Sequence, residues 1–478
     1  MVLNSHTIDW QLIKRFCQKQ TGLGLSMSGD ATEMKTPDGW PGQLWLEGRT
    51  IIHLKDEQER PTHMPRGPAK NTGQGFLNPA MAPARTRSVL LLADALEHDW
   101  LVTGDKPIRV LDALCATGVR VRRWRNEIPA DLQQRLRITA NDLDEYAIDW
   151  TKISHITHPP EIIVEQQFEE DRYNKIPTGK IINGIHIQRL DARVAMMESA
   201  FQWVDLDPFG SPVNFLDSAL QCLSRKGFLE VTATDTAALT GSSPSSMARR
   251  YGAKGLVDVY AHDDAVRILL GLIATSAARL DKKIKPVLAL FDGHHVRVSV
   301  QVKTSKEGAS EISHNMGWRV RGSEEPYKFV IHPNADQLKN ASGPMWIGPL
   351  WDAEIAGRMS EERVIQLCSP SQPQLQQMRE AGLIWNDDDI EYSQRELRRS
   401  VRYIAGAADL MSRSHLLINL DSIPKWTGVA GAPKMETIIS ALHQNDFAAA
   451  RAPDLEPVFV TDATFEEVRK IVQQISSK

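Results

Sequence analysis

The chain has 478 residues, 42% of them hydrophobic and 24% charged, with a formal net charge of −4. This is a globular composition with length for two or three cored domains, and its mild acidity argues against a protein that coats nucleic acid indiscriminately while allowing a local basic face. No apolar run is long enough to span a bilayer, "MVLNSHTIDWQLIKRF" does not read as a signal peptide, and Cys17, Cys115, Cys222 and Cys368 stand isolated, so no membrane span, zinc site or disulfide framework is expected and a reducing cytoplasm fits.

Residues 1 to about 105 are rich in Pro, Gly and charge, as in "MKTPDGWPGQ", which predicts loops, followed by a helix at "SVLLLADALEHDWL". From 108 the pattern alternates. "IRVLDAL", "RITAND", "IHIQRLD", "FQWVDLD" and "GFLEVTATD" read as strands. Between them "GVRVRRWRNEI", "EYAIDWTKISH", "ARVAMMESA" and "NFLDSALQCL" read as helices, with "EIIVEQQFEEDRYNKIPTGK" as an insertion. A long helix near 257–280 precedes "KPVLALFDGHHVRVSVQV", where Asp292-Gly293 between two apolar runs predicts a hairpin. Alternating strands and helices imply a parallel sheet covered on both faces. Closed by an antiparallel hairpin, this α/β sheet has the layout of Rossmann-like methyltransferases. After about 305 the texture changes. "GPMWIGPLW" looks like an aromatic loop, and 355–478 reads as helices with one or two short strands. The expected division is 1–105, a loop-rich segment packed on the catalytic domain; 106–305, the catalytic domain; and 306–478, a C-terminal α+β domain.

Ligands of open α/β sheets sit outside the carboxyl ends of the strands. Those ends carry Asp112, Asn141-Asp142, Asp191-Ala192, Asp207-Pro208-Phe209-Gly210 and Thr234-Asp235. One such acid is an ordinary helix cap; five on one edge ask for more. Acids disfavour an anionic ligand, and the loop after Asp112 has one glycine, Gly118, instead of the three of a dinucleotide turn. A cationic, phosphate-free cofactor such as S-adenosylmethionine fits better than a nicotinamide dinucleotide. Asp142, 24 residues after Gly118, stands about where a ribose-binding acid is expected. Asp191 is suited to the adenine amine.

"VDLDPFGSP" then has a chemical task. An exocyclic amine on a nucleobase is a poor nucleophile because its lone pair is delocalised. Asp207 can accept an N–H bond and localise that pair, the carbonyl near Pro208 can assist, and Phe209 offers a face for the base. The rest of the catalysis is in-line alignment.

These residues resemble the tRNA (guanine-26-N2) dimethyltransferase family, most closely its archaeal members. The resemblance rests on "GFLNPAMAPARTRSV", "VLDALCATGVR", "DLDPFGSPVNFLDSAL", "VTATDTAALTG" and "GPMWIGPL", and runs from about residue 47 to the end. It implies two methyl transfers from S-adenosylmethionine to N2 of one guanine in tRNA. It implies cofactor contacts at Phe76, Arg85, Arg120, Asp142, Asp191 and Ala192, with Asp207 as the catalytic acid; Asp112, on the first strand end, joins the cofactor set. From the residues alone Arg85 and Arg120 read as surface charges. The chain departs from the family pattern in having Thr86 where an acid is usual, a serine-rich "TAALTGSSPSS", an insertion at 156–184, and no cysteine cluster for zinc. A methyltransferase of the same fold acting on another RNA base or a protein amide shares the D-P-F-G stretch but not "GPMWIGPL".

For the RNA, "RELRRSVR" places Arg395, Arg398, Arg399 and Arg402 on one helical face with no acid on that stripe. "RVRRWRNE" (120–127) and Arg249, Arg250 and Lys254 are further basic clusters. His294 and His295, in the hairpin beside Arg297, read as a surface turn. A guanine stacked inside tRNA must be flipped out or met in a locally opened tRNA.

Overall fold

A computed structural model of the chain describes residues 36–55, 60–63, 77–166, 178–413, 416–453 and 457–477. Phe76, residues 1–35 and 167–177 of the insertion lie outside the described residues.

An eight-stranded sheet forms the centre. Its strands are β3 (Ile108–Asp112), β4 (Leu136–Asp142), β5 (Lys180–Ile182), β6 (Ile185–Arg189), β7 (Phe201–Leu206), β8 (Leu223–Ala233), β9 (Lys282–Phe291) and β10 (Val296–Thr304), in the order β5-β6-β4-β3-β7-β8-β10-β9. The run β6-β4-β3-β7-β8 is parallel, while β10 pairs antiparallel with both β8 and β9. The expected hairpin is therefore present, turning through Asp292 and Gly293. Val110, Ile138, Ile187, Val204 and Val231 are buried, as strands covered on both faces require.

The strands alternate with α2 (Val119–Glu127), α3 (Glu145–Thr157), α4 (Ala192–Glu198) and α5 (Leu216–Cys222). The helix α1 (Ala82–Glu97) precedes the sheet, and α6 (Pro244–Tyr251) and α7 (Ala261–Ala278) follow β8. Before α1 the loop expectation is incomplete. β1 (Gln43–Glu47) and β2 (Thr50–Leu54) form a buried hairpin. Both strands are buried on both faces, so they carry no alternation to read, they are flanked by Pro and Gly, and their partners are distant in sequence. Leu44, Trp45 and Ile52 share a core with Leu375, Trp385 and Ile390, and Trp45 meets Trp385 edge-on at 4.7 Å.

Beyond 305, β11 (Met316–Arg321), β12 (Tyr327–Val330) and β13 (Ala341–Trp346) form a sheet in the order β12-β11-β13. "GPMW" is thus the end of a strand, not a loop. β13 reaches α7 at Gly271, where a Cβ would stand 3.0 Å from the Trp346 nitrogen. The tail contains α8 (Glu361–Cys368), α9 (Gln372–Glu380), α10 (Asp387–Arg399), α11 (Ile404–Met411), α12 (Met435–Gln444) and α13 (Phe465–Ser476). It has three short strands where one or two were expected: β14 (Leu416–Asn419), β15 (Ala449–Arg451) and β16 (Val458–Thr461). They pair in the order β14-β16-β15. Trp351 donates to the Ala289 carbonyl and the Asp352 nitrogen to the Val287 carbonyl, so this segment covers the β9 edge. No described helix is long and apolar enough to cross a membrane.

Candidate active site

The loop from β3 to α2 is shaped by backbone bonds across three strand ends. The Ala113 nitrogen donates to the Asp205 carbonyl, the Cys115 nitrogen to the Asn141 carbonyl, and the Gly118 nitrogen back to the Cys115 carbonyl. Gly118 has φ +71°, and a Cβ there would lie 2.6 Å from Thr151 Cγ2, so only glycine suits the turn. Thr151 Oγ1 donates to the Ala116 carbonyl at 2.9 Å. Asn141, fully buried, donates to the carbonyls of Ala113 and Leu190 at 3.0 Å each and accepts from the Leu190 nitrogen. It ties the ends of β3, β4 and β6 together. Its place beside Asp142 was legible, but not this task.

Asp142 accepts from the Ala116 nitrogen at 2.8 Å and the Asp144 nitrogen at 3.0 Å, and burial raises its carboxyl pKa. Asp191 caps α4, accepting from the Arg193 nitrogen and guanidinium, and these bonds lower its pKa to about 2. Ala192 is the buried first residue of that helix.

Asp207 follows β7 with 17% of its side chain exposed. Arg120 bonds it at 2.6 Å, and the same guanidinium lies 3.2 Å from Asp205 and 3.9 Å from Asp112. Arg297 bonds Asp205, Thr232 at 2.7 Å, and Glu230 at 3.1 Å. Burial raises the carboxyl pKa of Asp112 and of Asp205. Asp205 adds to the effect at Asp112, while Arg120 opposes it at both. Burial also pushes Asp207 up, but Arg120, Arg297, His295 and Arg85 outweigh it, and its pKa is lowered. The network thus favours an ionised carboxylate at the acid nearest the sheet edge. Asp205 and Arg297 escaped the sequence reading. The signal was there: in "VDLD", Asp205 shares the strand face of Asp207 by the period of two.

The loop after Asp207 exposes Phe209 to 72%. Gly210 and Thr234 exchange bonds of 2.7 and 2.9 Å, sewing this loop to the end of β8, and Ser211 meets Tyr251 of α6 at 3.1 Å. Asp235 accepts from Tyr251 and from Arg250 at 2.9 Å.

Several charges read as surface are interior. Arg85 is buried, its Nε bonded to Glu47 at 2.6 Å and its Nη2 to the same carboxylate and the Asn78 carbonyl. Arg120, Arg122, Arg123 and Arg125 are buried too. Arg122 bonds carbonyls of Ile51, Ser154 and His158, Arg123 bonds Glu47 and Glu127, and Arg125 bonds Gln133 and the Gly184 carbonyl. This corrects the 120–127 cluster as an RNA face: the β1–β2 hairpin covers the helix. His295 is buried, not at a surface turn.

The arginine stripe is shorter than expected. α10 ends at Arg399, and Arg402 lies in the turn beyond it. Acids accompany it. Arg398 lies 3.4 Å from Glu391, Arg399 3.7 Å from Glu396, Arg402 3.6 Å from Glu361, and Arg395 lies over the Tyr392 ring. Among the described residues no group of three or more His, Cys, Asp or Glu is set to hold a metal ion.

Residues 61–473 match the family described as N2,N2-dimethylguanosine tRNA methyltransferase. The chain is 36% identical over 290 residues to the tRNA (guanine(26)-N(2))-dimethyltransferase of Pyrococcus furiosus, covering 60% of this chain and 70% of that one. It is 30% identical over 294 residues to the protein of that name from Archaeoglobus fulgidus, covering 61% and 72%. Among solved structures it is similar to Trm1 from Pyrococcus horikoshii in complex with S-adenosyl-L-methionine. The TM-score is 0.67 and the identity 26%, over 90% of this chain and 99% of that one.

Proposed function

The chain belongs to the N2,N2-dimethylguanosine tRNA methyltransferase family, and on that premise we infer that it transfers methyl groups from S-adenosylmethionine to N2 of guanine 26 in tRNA, giving N2,N2-dimethylguanosine. The observation that carries this reading at the site is a carboxylate of lowered pKa, Asp207, beside the exposed ring of Phe209 at the carboxyl edge of the sheet.

The residues at that edge fit the cofactor. They are acidic, and the loop that holds Gly118 lacks the bare glycine-rich turn of a phosphate binder. S-adenosylmethionine supplies the electrophilic methyl group when bound. Asp142, fixed by two backbone N–H groups, keeps lone pairs for ribose hydroxyls. Asp191 and the Ala192 backbone serve the adenine. Among the described residues Arg85 bonds through Nε and Nη2, which leaves Nη1 for the cofactor carboxylate, and the resemblance assigns Phe76 to the cofactor as well. Arg120 and Asp112 form the floor between cofactor and acceptor.

Asp207 accepts an N2–H bond from the flipped guanine, with the Pro208 carbonyl assisting, and Phe209 stacks on the base. Holding the amine in line lowers the barrier by orientation. Because Arg120 and Arg297 favour its ionised form, Asp207 localises the lone pair without first removing a proton. Residues 106–305 act as the catalytic domain, the described part of 1–105 packs on it, and 306–478 position the tRNA backbone through Arg395, Arg398, Arg399 and Arg402. The enzyme works in the cytoplasm.

The test is transfer of labelled methyl to unmodified tRNA transcripts carrying guanine or adenine at position 26, followed by nucleoside identification. N2-methylguanosine and N2,N2-dimethylguanosine are expected from the first transcript alone. Label in another nucleoside, or in protein, overturns the reading.

A further inference from the structure

The turn between β9 and β10 brings a second polar group to the acceptor side of the sheet edge. The Asp292 nitrogen donates to the His295 carbonyl and the His294 nitrogen to the Asp292 carbonyl, both at 2.8 Å. Val296 pairs with Ala233, so the turn stands level with the end of β8, the strand next to that of Asp207. His295 is 0% exposed, yet among the described residues neither of its ring nitrogens has a hydrogen-bond partner. A buried polar group left in this state is costly, and a ligand atom is one way to satisfy it.

Its surroundings select the tautomer. Asp292 Oδ2 lies 3.8 Å from His295 Nε2, and Arg87 anchors that carboxylate while donating to the Ser400 carbonyl at 3.0 Å. Burial pushes Asp292 up, but Arg87 and the two histidines outweigh it and its pKa is lowered. Burial lowers His295 to about 4, and Asp207 is among the charges it feels. A neutral imidazole has one donor and one acceptor nitrogen. With the Nε2 proton facing an acceptor-only carboxylate, Nδ1 carries the lone pair. Such contacts are often long before substrate arrives.

Guanine presents N1–H beside its N2 amine. We propose that His295 is a base-reading residue whose Nδ1, with its tautomer set by Asp292, accepts the N1–H of the guanine held through N2 by Asp207. The proposal rests on the activity inferred above. It makes N1–H, and not the amine alone, a requirement of the acceptor: adenine and 2-aminopurine both present a lone pair at N1 where guanine presents a proton.

The experiment compares kcat/KM for methyl transfer to tRNA transcripts carrying guanine or 2-aminopurine at position 26; the latter keeps the 2-amine and lacks N1–H. The wild type should favour guanine by roughly tenfold or more, since a site built to pair a polar group rejects the analogue without it. His295→Phe should lose most of that preference by slowing guanine alone, with cofactor affinity unchanged. His295→Gln, whose amide oxygen accepts, should retain part of it. The proposal is overturned by a wild type without preference, or by a His295→Phe that keeps the wild-type preference or slows both substrates equally. Should His295→Phe not fold, His295→Met is judged by the same criteria. Failure of the wild type to methylate the guanine transcript sinks the activity itself, whereas methylation with a preference indifferent to His295 sinks only this inference.

Discussion

Asp207 has its charge set by neighbours that come from α2, β10 and the turn before it. Asp207→Asn keeps size and one acceptor but removes the charge that localises the amine lone pair. Arg120 still has Asp205 and Asp112 as partners, so the fold should tolerate the change. Single-turnover transfer should fall by roughly 10²–10⁴-fold, the range for a positioned acid or base, while cofactor affinity by titration calorimetry stays close to wild type. A variant keeping more than about a tenth of the rate is incompatible with this role. The positions of Asp112, Asp142, Asp191 and Asp207 at the strand ends were legible because those ends can be read from apolar runs. Asp205 and Arg297 were not, because a charge inside a strand makes sense only once its distant partner is known. Arg85 and Arg120 failed for the same reason, and only the resemblance placed them near the cofactor.

At the scale of elements, period and turn chemistry carried the central sheet: five parallel strands, and a hairpin announced by Asp292-Gly293. The β1–β2 hairpin was missed, and with it the reason α2 can bury four arginines. That hairpin is also joined to the end of α3 through a pair of imidazoles. His53 Nδ1 donates to the Pro41 carbonyl at 2.8 Å, so its Nε2 must accept from His158 Nε2, also at 2.8 Å. Burial holds both rings neutral, lowering His53 to about 4 and His158 well below its ordinary value. A histidine whose pKa is lower folded than unfolded stabilises the fold above about pH 6.5 and loses that contribution as pH falls to the folded value. For His53 the loss amounts to about 3 kcal/mol across the window, at ~1.4 kcal/mol per pH unit. His53→Gln keeps a donor and an acceptor without titrating. The urea midpoint of the wild type should therefore drop more steeply between pH 7 and 4 than that of the variant. Parallel curves would show that the pair does not exclude protons.

Across the whole molecule, the regions before and after residue 305 share more than the sequence suggested. One cluster of buried apolar side chains contains both Leu111 of the central sheet and Phe459 of the tail. Arg87 links the Ser400 carbonyl, at the end of α10, to Asp292 in the turn that carries His295. An RNA held on α10 therefore lies at the end of a bonded path to the acceptor side of the site. Arg398 and Arg399 there are paired to Glu391 and Glu396, but surface pairs of this kind are worth only about 0–1 kcal/mol, so phosphates can displace them. Arg395→Ala with Arg399→Ala should raise the KM for tRNA and leave the choice of guanine 26 and the cofactor affinity unchanged. If both side chains meet phosphates, the log–log salt dependence of tRNA binding should flatten by roughly 1.4–1.8, from 0.7–0.9 per contact. A salt slope equal to wild type would remove α10 from the RNA path. It would leave Arg249 and Arg250, exposed on α6 beside the loop that carries Phe209, as the basic face, since the arginines of 120–125 are buried.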